Sequence, residues 1–300
     1  MNYKDIIKSR DLRIKILSYL GWIPDGIMLR LQYWLQTGRT LHLKNPQRFT
    51  EKLQVYKMKY RNPEMLRCTD KYEVRSYVEE KGLGDCLIPL IGVYKKVDEI
   101  DFTTLPNQFV AKTTDGGGGN QVLICRDKRE LSEAEFRNRL LGWMKMPKKK
   151  QVGREWAYEN HFPRRIIIEE LIGNNTVKDL PDYKFFCFNG RCEMLYVMAD
   201  RKLGGDVSLG VFTRDFQKLN VCRSDERPMT SEIHKPDGFE KMIEYAERLS
   251  KPFPQVRVDL YNVEGNIWFG ELTFYDGSGY FSYIPDSFDF ELGKNFDFPK

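Results

Sequence analysis

Apolar residues recur at helical spacing from Asp11 to Gln36, with Ile14, Ile16, Leu17 and Leu20 in one stretch and Ile27, Met28, Leu31, Trp34 and Leu35 in the next. Gly21-Trp22-Ile23-Pro24-Asp25 interrupts them, so the pattern predicts a helical hairpin whose second helix is capped by Asp25. Asn45-Pro46 breaks the pattern. Thr50-Glu51-Lys52 then opens a short helix, and Asp70-Lys71-Tyr72 opens a longer one that runs to about Lys81 and is stopped by Gly82 and Gly84. From Leu87 the texture changes to strands, over residues 88–94, 108–113, 121–125, 165–172, 183–189, 191–198, 257–261 and 267–274. Helices are predicted near 131–144 and 239–249. Asn189-Gly190 is a strong two-residue hairpin signal. Helices with largely antiparallel sheets indicate an α+β protein.

Three hundred residues, 41% hydrophobic and 13% aromatic, suit a packed body of about two domains. The net charge of +5 is spread along the chain, and Lys148-Lys149-Lys150 reads as a solvated loop; no nucleic-acid partner is expected. Six cysteines without a CxxC pair and three distant histidines assemble no zinc site and fit reduced thiols. With neither a signal-peptide pattern at Met1 to Arg13 nor a long apolar stretch, the expected location is cytoplasmic. The basic side of the 1–47 hairpin leaves two readings: a packed helical layer, or a contact with a partner protein or the inner membrane face.

Two features carry candidate chemistry. In Lys112-Thr113-Thr114-Asp115-Gly116-Gly117-Gly118-Gly119-Asn120, glycines between two strands permit φ > 0 and close backbone approach to anionic oxygens, with a lysine beside them. The run reads either as a flexible surface turn or as a phosphate lid; it is no Walker A motif, since the lysine precedes the glycines. Near the carboxyl end, a three-residue turn at Glu264-Gly265-Asn266 would pair Asp259 with Glu271 and Arg257 with Thr273, placing all four on one face. Opposed carboxylates repel and call for a cation, such as a hard divalent ion sharing phosphate ligands; solvated strand residues are the other reading. Ile166-Ile167-Ile168-Glu169-Glu170 is a buried strand ending in two charges, either an exit to solvent or a hinge that meets an adenine.

The order of these features resembles the ATP-grasp superfamily, and more closely its TupA-like branch, named for teichuronopeptide biosynthesis and found with genes for bacterial capsules. The match is carried by residues 45–54 (Asn-Pro-Gln-Arg-Phe-Thr-Glu-Lys-Leu-Gln), 70–72, 105–110, 180–190 and 269–274 (Phe-Gly-Glu-Leu-Thr-Phe), together spanning roughly 40 to 295. The resemblance implies two α+β lobes gripping ATP between antiparallel sheets behind an N-terminal helical segment. The expected divisions are 1–47, 48–95, 96–172 for the small lobe with its lid, and 173–300 for the lobe with the metal hairpin. It further implies ATP and Mg2+ as cofactors. Lys71 and Lys112 would meet phosphates, Gly116, Gly117, Gly118 and Gly119 would close over them, and Glu169, Glu170, Leu171 and Ile172 would read adenine. Asp182 or Lys184 would reach ribose or phosphate, and Asp259 and Glu271 would hold magnesium; Thr273 departs from the common asparagine there. Arg257, with Lys112, would stabilise developing charge.

The reaction so implied is an ADP-forming carboxylate–amine ligation through an acyl phosphate, joining an amino acid or amino alcohol to a hexuronic acid of a surface polysaccharide. A capsular glycosyltransferase and a non-catalytic assembly scaffold are the alternatives; the chain has no DxD motif to support the first.

Overall fold

The computed structural model describes residues 16–17, 19–117, 119, 121–146, 153–159, 162–173, 180–199 and 207–298. Seven α-helices are present among them: α1 (Asp25–Thr37), α2 (Phe49–Lys59), α3 (Glu64–Thr69), α4 (Glu73–Glu80), α5 (Glu133–Lys145), α6 (Phe239–Ser250) and α7 (Ser287–Lys294). A four-stranded sheet holds β1 (Leu90–Tyr94), β2 (Phe109–Thr113), β3 (Val122–Cys125) and β4 (Ile166–Glu169) in the order β1-β4-β2-β3, antiparallel throughout. A six-stranded sheet holds β5 (Asp182–Phe188), β6 (Arg191–Ala199), β7 (Ser208–Thr213), β9 (Arg227–Pro228), β10 (Gln255–Val263) and β11 (Asn266–Thr273) in the order β11-β10-β5-β6-β7-β9. Only β7 and β9 pair in parallel. Two short strands, β8 (Cys222–Arg223) and β12 (Tyr283–Ile284), form a ribbon. The result is the expected α+β architecture.

The two sheets have separate apolar cores. Phe109, Ala111, Leu123, Phe136, Leu140, Ile166 and Ile168 close one between the four-stranded sheet and α5. The larger core fills around the six-stranded sheet, where Phe185, Phe186, Val256, Val258 and Leu260 are fully buried beneath α6 and against Phe49, Leu53 and Tyr56 of α2. Both faces of β5 and β10 are covered, so Asp182, Lys184, Arg257 and Asp259 are buried along with the apolar residues of these strands.

Local signals decide the turns. Asn189 (φ 50°) and Gly190 (φ 82°) make a left-handed two-residue turn that sets Phe188 opposite Arg191. Asp25 does not cap α1; Pro24 occupies that position, and the Asp25 carboxylate accepts instead from Arg154 Nη1 at 2.9 Å. Strand β4 stops at Glu169 rather than Ile172, because the Glu170 N–H donates to Pro89 O at 3.0 Å as the chain leaves the sheet. Strands β7, β8, β9 and β12 and helix α7 are additions to the sequence expectation; each is short, or carries a glycine or proline that mutes its periodicity.

The β10–β11 hairpin contains the most instructive departure. Its loop has two residues, Glu264 (φ 52°) and Gly265 (φ 83°), and Val263 pairs with Asn266, not the three-residue turn expected. Continued without a break, that register would set Asp259 opposite Gly270. A β-bulge between Asp259 and Leu260 adds one residue on β11, so that Asp259 pairs with Glu271 and Arg257 with Thr273. Gly270 sits at the bulge, where a Cβ would lie 3.0 Å from the Asp259 carbonyl oxygen.

Candidate functional site

The hairpin pairing gathers a buried ionic network on the six-stranded sheet. β5 runs beside β10 with Lys184 opposite Asp259, and Lys184 Nζ lies 2.6 Å from both Asp182 Oδ2 and Asp259 Oδ2. Arg257 grips Asp259 through Nε to Oδ1 (2.7 Å) and Nη2 to Oδ2 (2.6 Å). Its other nitrogen, Nη1, donates to Asp276 Oδ1, and Asp276 Oδ2 accepts from Arg223 Nη1 at 3.0 Å. Asp276 therefore bridges two arginines, one on the hairpin and one on β8. Every one of these side chains is buried, whereas the Glu271 side chain is 47% exposed and lies 3.6 Å from Arg257 Nη2.

Burial opposes the charge on Asp259, yet Arg257 and Lys184 outweigh it and hold the carboxyl below the usual carboxylate range. Burial likewise disfavours the Arg257 guanidinium, but Asp259 and Asp276 more than restore it, so that it stays charged. Asp182 goes the other way: burial wins over Lys184 and raises it, and its Oδ1 is buried with no hydrogen-bond partner among the described residues.

The four-stranded sheet supplies the second group. Alternation along β2 turns Lys112 to the opposite face from the buried Ala111 and Thr113. Its Nζ lies 2.5 Å from Glu169 Oε2, while Arg75 Nη1 of α4 lies 3.3 Å from Glu169 Oε1 and 2.9 Å from Ile88 O. The Glu169 carboxylate is thus committed to two cations and acts as their counter-ion. Lys71 donates through Nζ to Gly116 O and through its backbone N–H to Thr114 O, tying the start of α4 to the glycine loop. At the loop's base Arg164 Nε binds both Asp115 oxygens at 2.9 Å, and Arg164 Nη1 holds Trp143 O and Met146 O at 2.7 Å. Gly117 is exposed and Gly119 adopts φ 72°; Gly118 lies outside the described residues.

Most residues singled out by sequence thus fall into two groups, with Asp182, Lys184, Arg257, Asp259, Glu271 and Thr273 on one sheet and Lys71, Lys112, Glu169 and the glycine loop on the other. Leu171 and Ile172 are half-buried beyond the end of β4, and Glu170 is exposed. Thr273 Oγ1 accepts from Arg257 Nη2 at 3.1 Å and lies 3.4 Å from Glu271 Oε1, so it links these two side chains. Sequence reasoning gave Arg75, Arg223, Gln54 and Lys57 no site role, and read Asp276-Gly277-Ser278-Gly279 either as a place where substrate or phosphate lies or as an ordinary turn. Lys57 is fully buried, with Nζ 2.7 Å from Ser278 O and 3.2 Å from Gln54 Oε1. Lys57 shares its helix face with Thr50, Leu53 and Gln54, so no apolar stripe marked it, and the signals of Arg75 and Arg223 depend on distant chain segments.

The donor chemistry fits a magnesium ion. No cluster of three or more His, Cys, Asp or Glu side chains suited to a metal occurs among the described residues. Magnesium fits such a place, because it takes one or two carboxylates and fills its octahedron with water and phosphate oxygens. The half-exposed Glu271 is the hairpin carboxylate open to such an ion, whereas both oxygens of the opposed Asp259 are held by Arg257 and Lys184.

The family model described as TupA-like ATPgrasp matches residues 51–297. Among solved structures the chain is similar to a D-alanine–D-alanine ligase from Helicobacter pylori, at 13% identity over 77% of this chain and 61% of that one, with a TM-score of 0.43. It is similar to the ATP-grasp ligase PsnB, described with a phosphomimetic variant of its minimal precursor, Mg and ADP, at 10% identity over 83% and 66% and a TM-score of 0.44. It is also similar to an L-amino acid ligase from Bacillus licheniformis, at 13% identity over 85% and 53% and a TM-score of 0.42. The chain therefore spans roughly three-fifths of the first ligase and half of the last. No curated protein matches it. A family match over five-sixths of the sequence, on a chain that folds as two antiparallel sheets with a glycine loop on one and an Asp–Glu hairpin on the other, shows that this protein belongs to the TupA-like ATP-grasp family.

Proposed function

We propose that this protein is an ATP-dependent carboxylate–amine ligase, and that its substrates are a hexuronic acid of a bacterial surface polysaccharide and a small amine. The observation that carries the reading is the hairpin pairing of Asp259 with Glu271 beside Arg257 and Lys184, on a different sheet from Lys112 and the glycine loop. ATP supplies a phosphoryl group that turns an unreactive carboxylate into an acyl phosphate, which an amine then attacks to form the amide.

The chain's own residues contribute charge and position. Glu271 and Asp259 would hold magnesium, which would supply neutralisation of phosphate charge when bound. Lys112 leaves Glu169 for the phosphates, and Arg75 remains to balance the Glu169 carboxylate. Arg257 is kept charged and fixed by Asp259 and Asp276, so its guanidinium needs little reorganisation to meet charge developing on the carboxylate. The glycine loop, with its base clamped by Arg164, covers the phosphates and excludes water.

An ADP-release assay over a panel of uronic acids and amines tests this. Release is expected only when both are present with magnesium, and loss of release is expected in Lys112→Ala and Glu271→Ala. Turnover that needs no ATP, or ADP release indifferent to both co-substrates, would sink the reading.

A further inference from the structure

Six of the eleven large apolar side chains exposed among the described residues lie between positions 16 and 34. Trp22 is 80% exposed, Tyr19 70%, Ile27 59%, Trp34 57% and Leu31 44%. On α1 this exposure has a simple geometry. At about 100° per residue, Met28, Leu29, Gln32 and Tyr33 form the buried face, while Ile27, Leu31 and Trp34 form a ridge on roughly the opposite side. The inner face is anchored by Tyr33 to Thr50 (2.8 Å) and by Tyr280 to Gln32 (2.6 Å). The outer face is apolar, and no element among the described residues covers it.

Positive charge borders the ridge. Arg30, on α1, also lines a groove of about 570 Å³ with His42, Lys44 and Arg48 around the half-exposed ring of Phe290. The carboxylate lining it, Glu51, already accepts from His42 and from the backbone N–H groups of Gln47 and Arg48. Neither Arg30 nor Lys44 is paired with a carboxylate among the described residues, and the preceding residues 1–15 contain Lys4, Lys8, Arg10, Arg13 and Lys15 against Asp5 and Asp11.

We infer that this face docks on an anionic phospholipid surface, with Trp22, Ile27, Leu31 and Trp34 entering the interface and Arg30 and Lys44 meeting lipid phosphates. Tryptophan and tyrosine favour the headgroup boundary, and a helix with aromatic and aliphatic residues beside basic ones lies in that plane. No described helix is long and apolar enough to cross a membrane, so the contact is a surface one. The inference stands independently of the ligase reading.

Vesicle co-sedimentation of the full chain tests it, with phosphatidylcholine alone or mixed with phosphatidylglycerol. Binding is expected to the mixed vesicles, to weaken at high salt, and to fall by about tenfold or more in Trp22→Ser/Trp34→Ser. Circular dichroism and melting temperature establish that the variant is folded, and a blue shift of wild-type tryptophan emission reports insertion. Failure of the wild type to sediment with mixed vesicles overturns the inference, as does unchanged sedimentation of the folded variant. So does light scattering in which the substitutions abolish a dimer but leave sedimentation unaltered, because the face would then be a self-association surface.

Discussion

Burial pushes the Lys57 ammonium down to about 8, with a partial counter-pull from Glu155 at 3.9 Å. Its contribution to stability is therefore fully present above the unfolded lysine value and is lost as pH falls through the folded one. Relative to Lys57→Met, the wild type should gain about 2.5 kcal/mol between pH 8 and 10.4, with a slope approaching ~1.4 kcal/mol per unit midway. Paired urea titrations of the two proteins across that range measure the difference, and a flat difference contradicts the assignment. Ser278 O keeps a bond from Gln54 Nε2 at 2.9 Å in the variant, so the comparison isolates the ammonium. The two hairpin carboxylates should separate in the same kind of experiment. Asp259→Ala strands Arg257 and Lys184 without their shared partner, at a cost of about 3–5 kcal/mol. Glu271→Ala removes a half-exposed charge and should change stability by no more than about 0.5 kcal/mol while abolishing ADP release. Equal destabilisation by the two substitutions would contradict this division.

At the scale of elements, the hairpin shows how much the sequence could reveal. The Asp259–Glu271 pairing was legible, since alternation along two apolar strands fixes which charges share a face. The route to it was not, because a two-residue turn with a bulge and a three-residue turn without one place the same residues opposite each other. Gly270 was the available clue. Gly270→Ala brings a Cβ to 3.0 Å from the Asp259 carbonyl and 3.2 Å from the Tyr261 ring, and should cost about 1–3 kcal/mol. Thermal melting reads that loss; a wild-type melting point would show that the bulge yields freely. The Glu169 strand was legible as buried from its isoleucines, but its carboxylate's commitment to Lys112 and Arg75 depends on α4, whose position against β4 no local pattern reveals. Likewise the bridging of two arginines by Asp276 was not legible, because Arg223, its second partner, lies 53 positions away.

For the whole molecule, the order of elements was enough to indicate an α+β protein with largely antiparallel sheets, and the resemblance implied two lobes, while helix α7 and the β8–β12 ribbon were obscured by short length and by Pro285. Magnesium-ATP, bound between the two groups of charged residues, should stabilise the native state by about 2.7 kcal/mol at a hundred times its dissociation constant. That corresponds to a rise in melting temperature of several degrees, roughly 2–4 °C per kcal/mol for chains approaching this size, which a thermal shift assay detects and UDP-sugars should not reproduce. The separateness of the two apolar cores has its own consequence. Each sheet can lose its order without dissolving the other's interior, so amide hydrogens of β2 and β4 should exchange through an opening that leaves β5 and β10 protected. A ligand gripping both sheets removes that lesser opening, and the two sets of amides should then exchange together, as one cooperative unit.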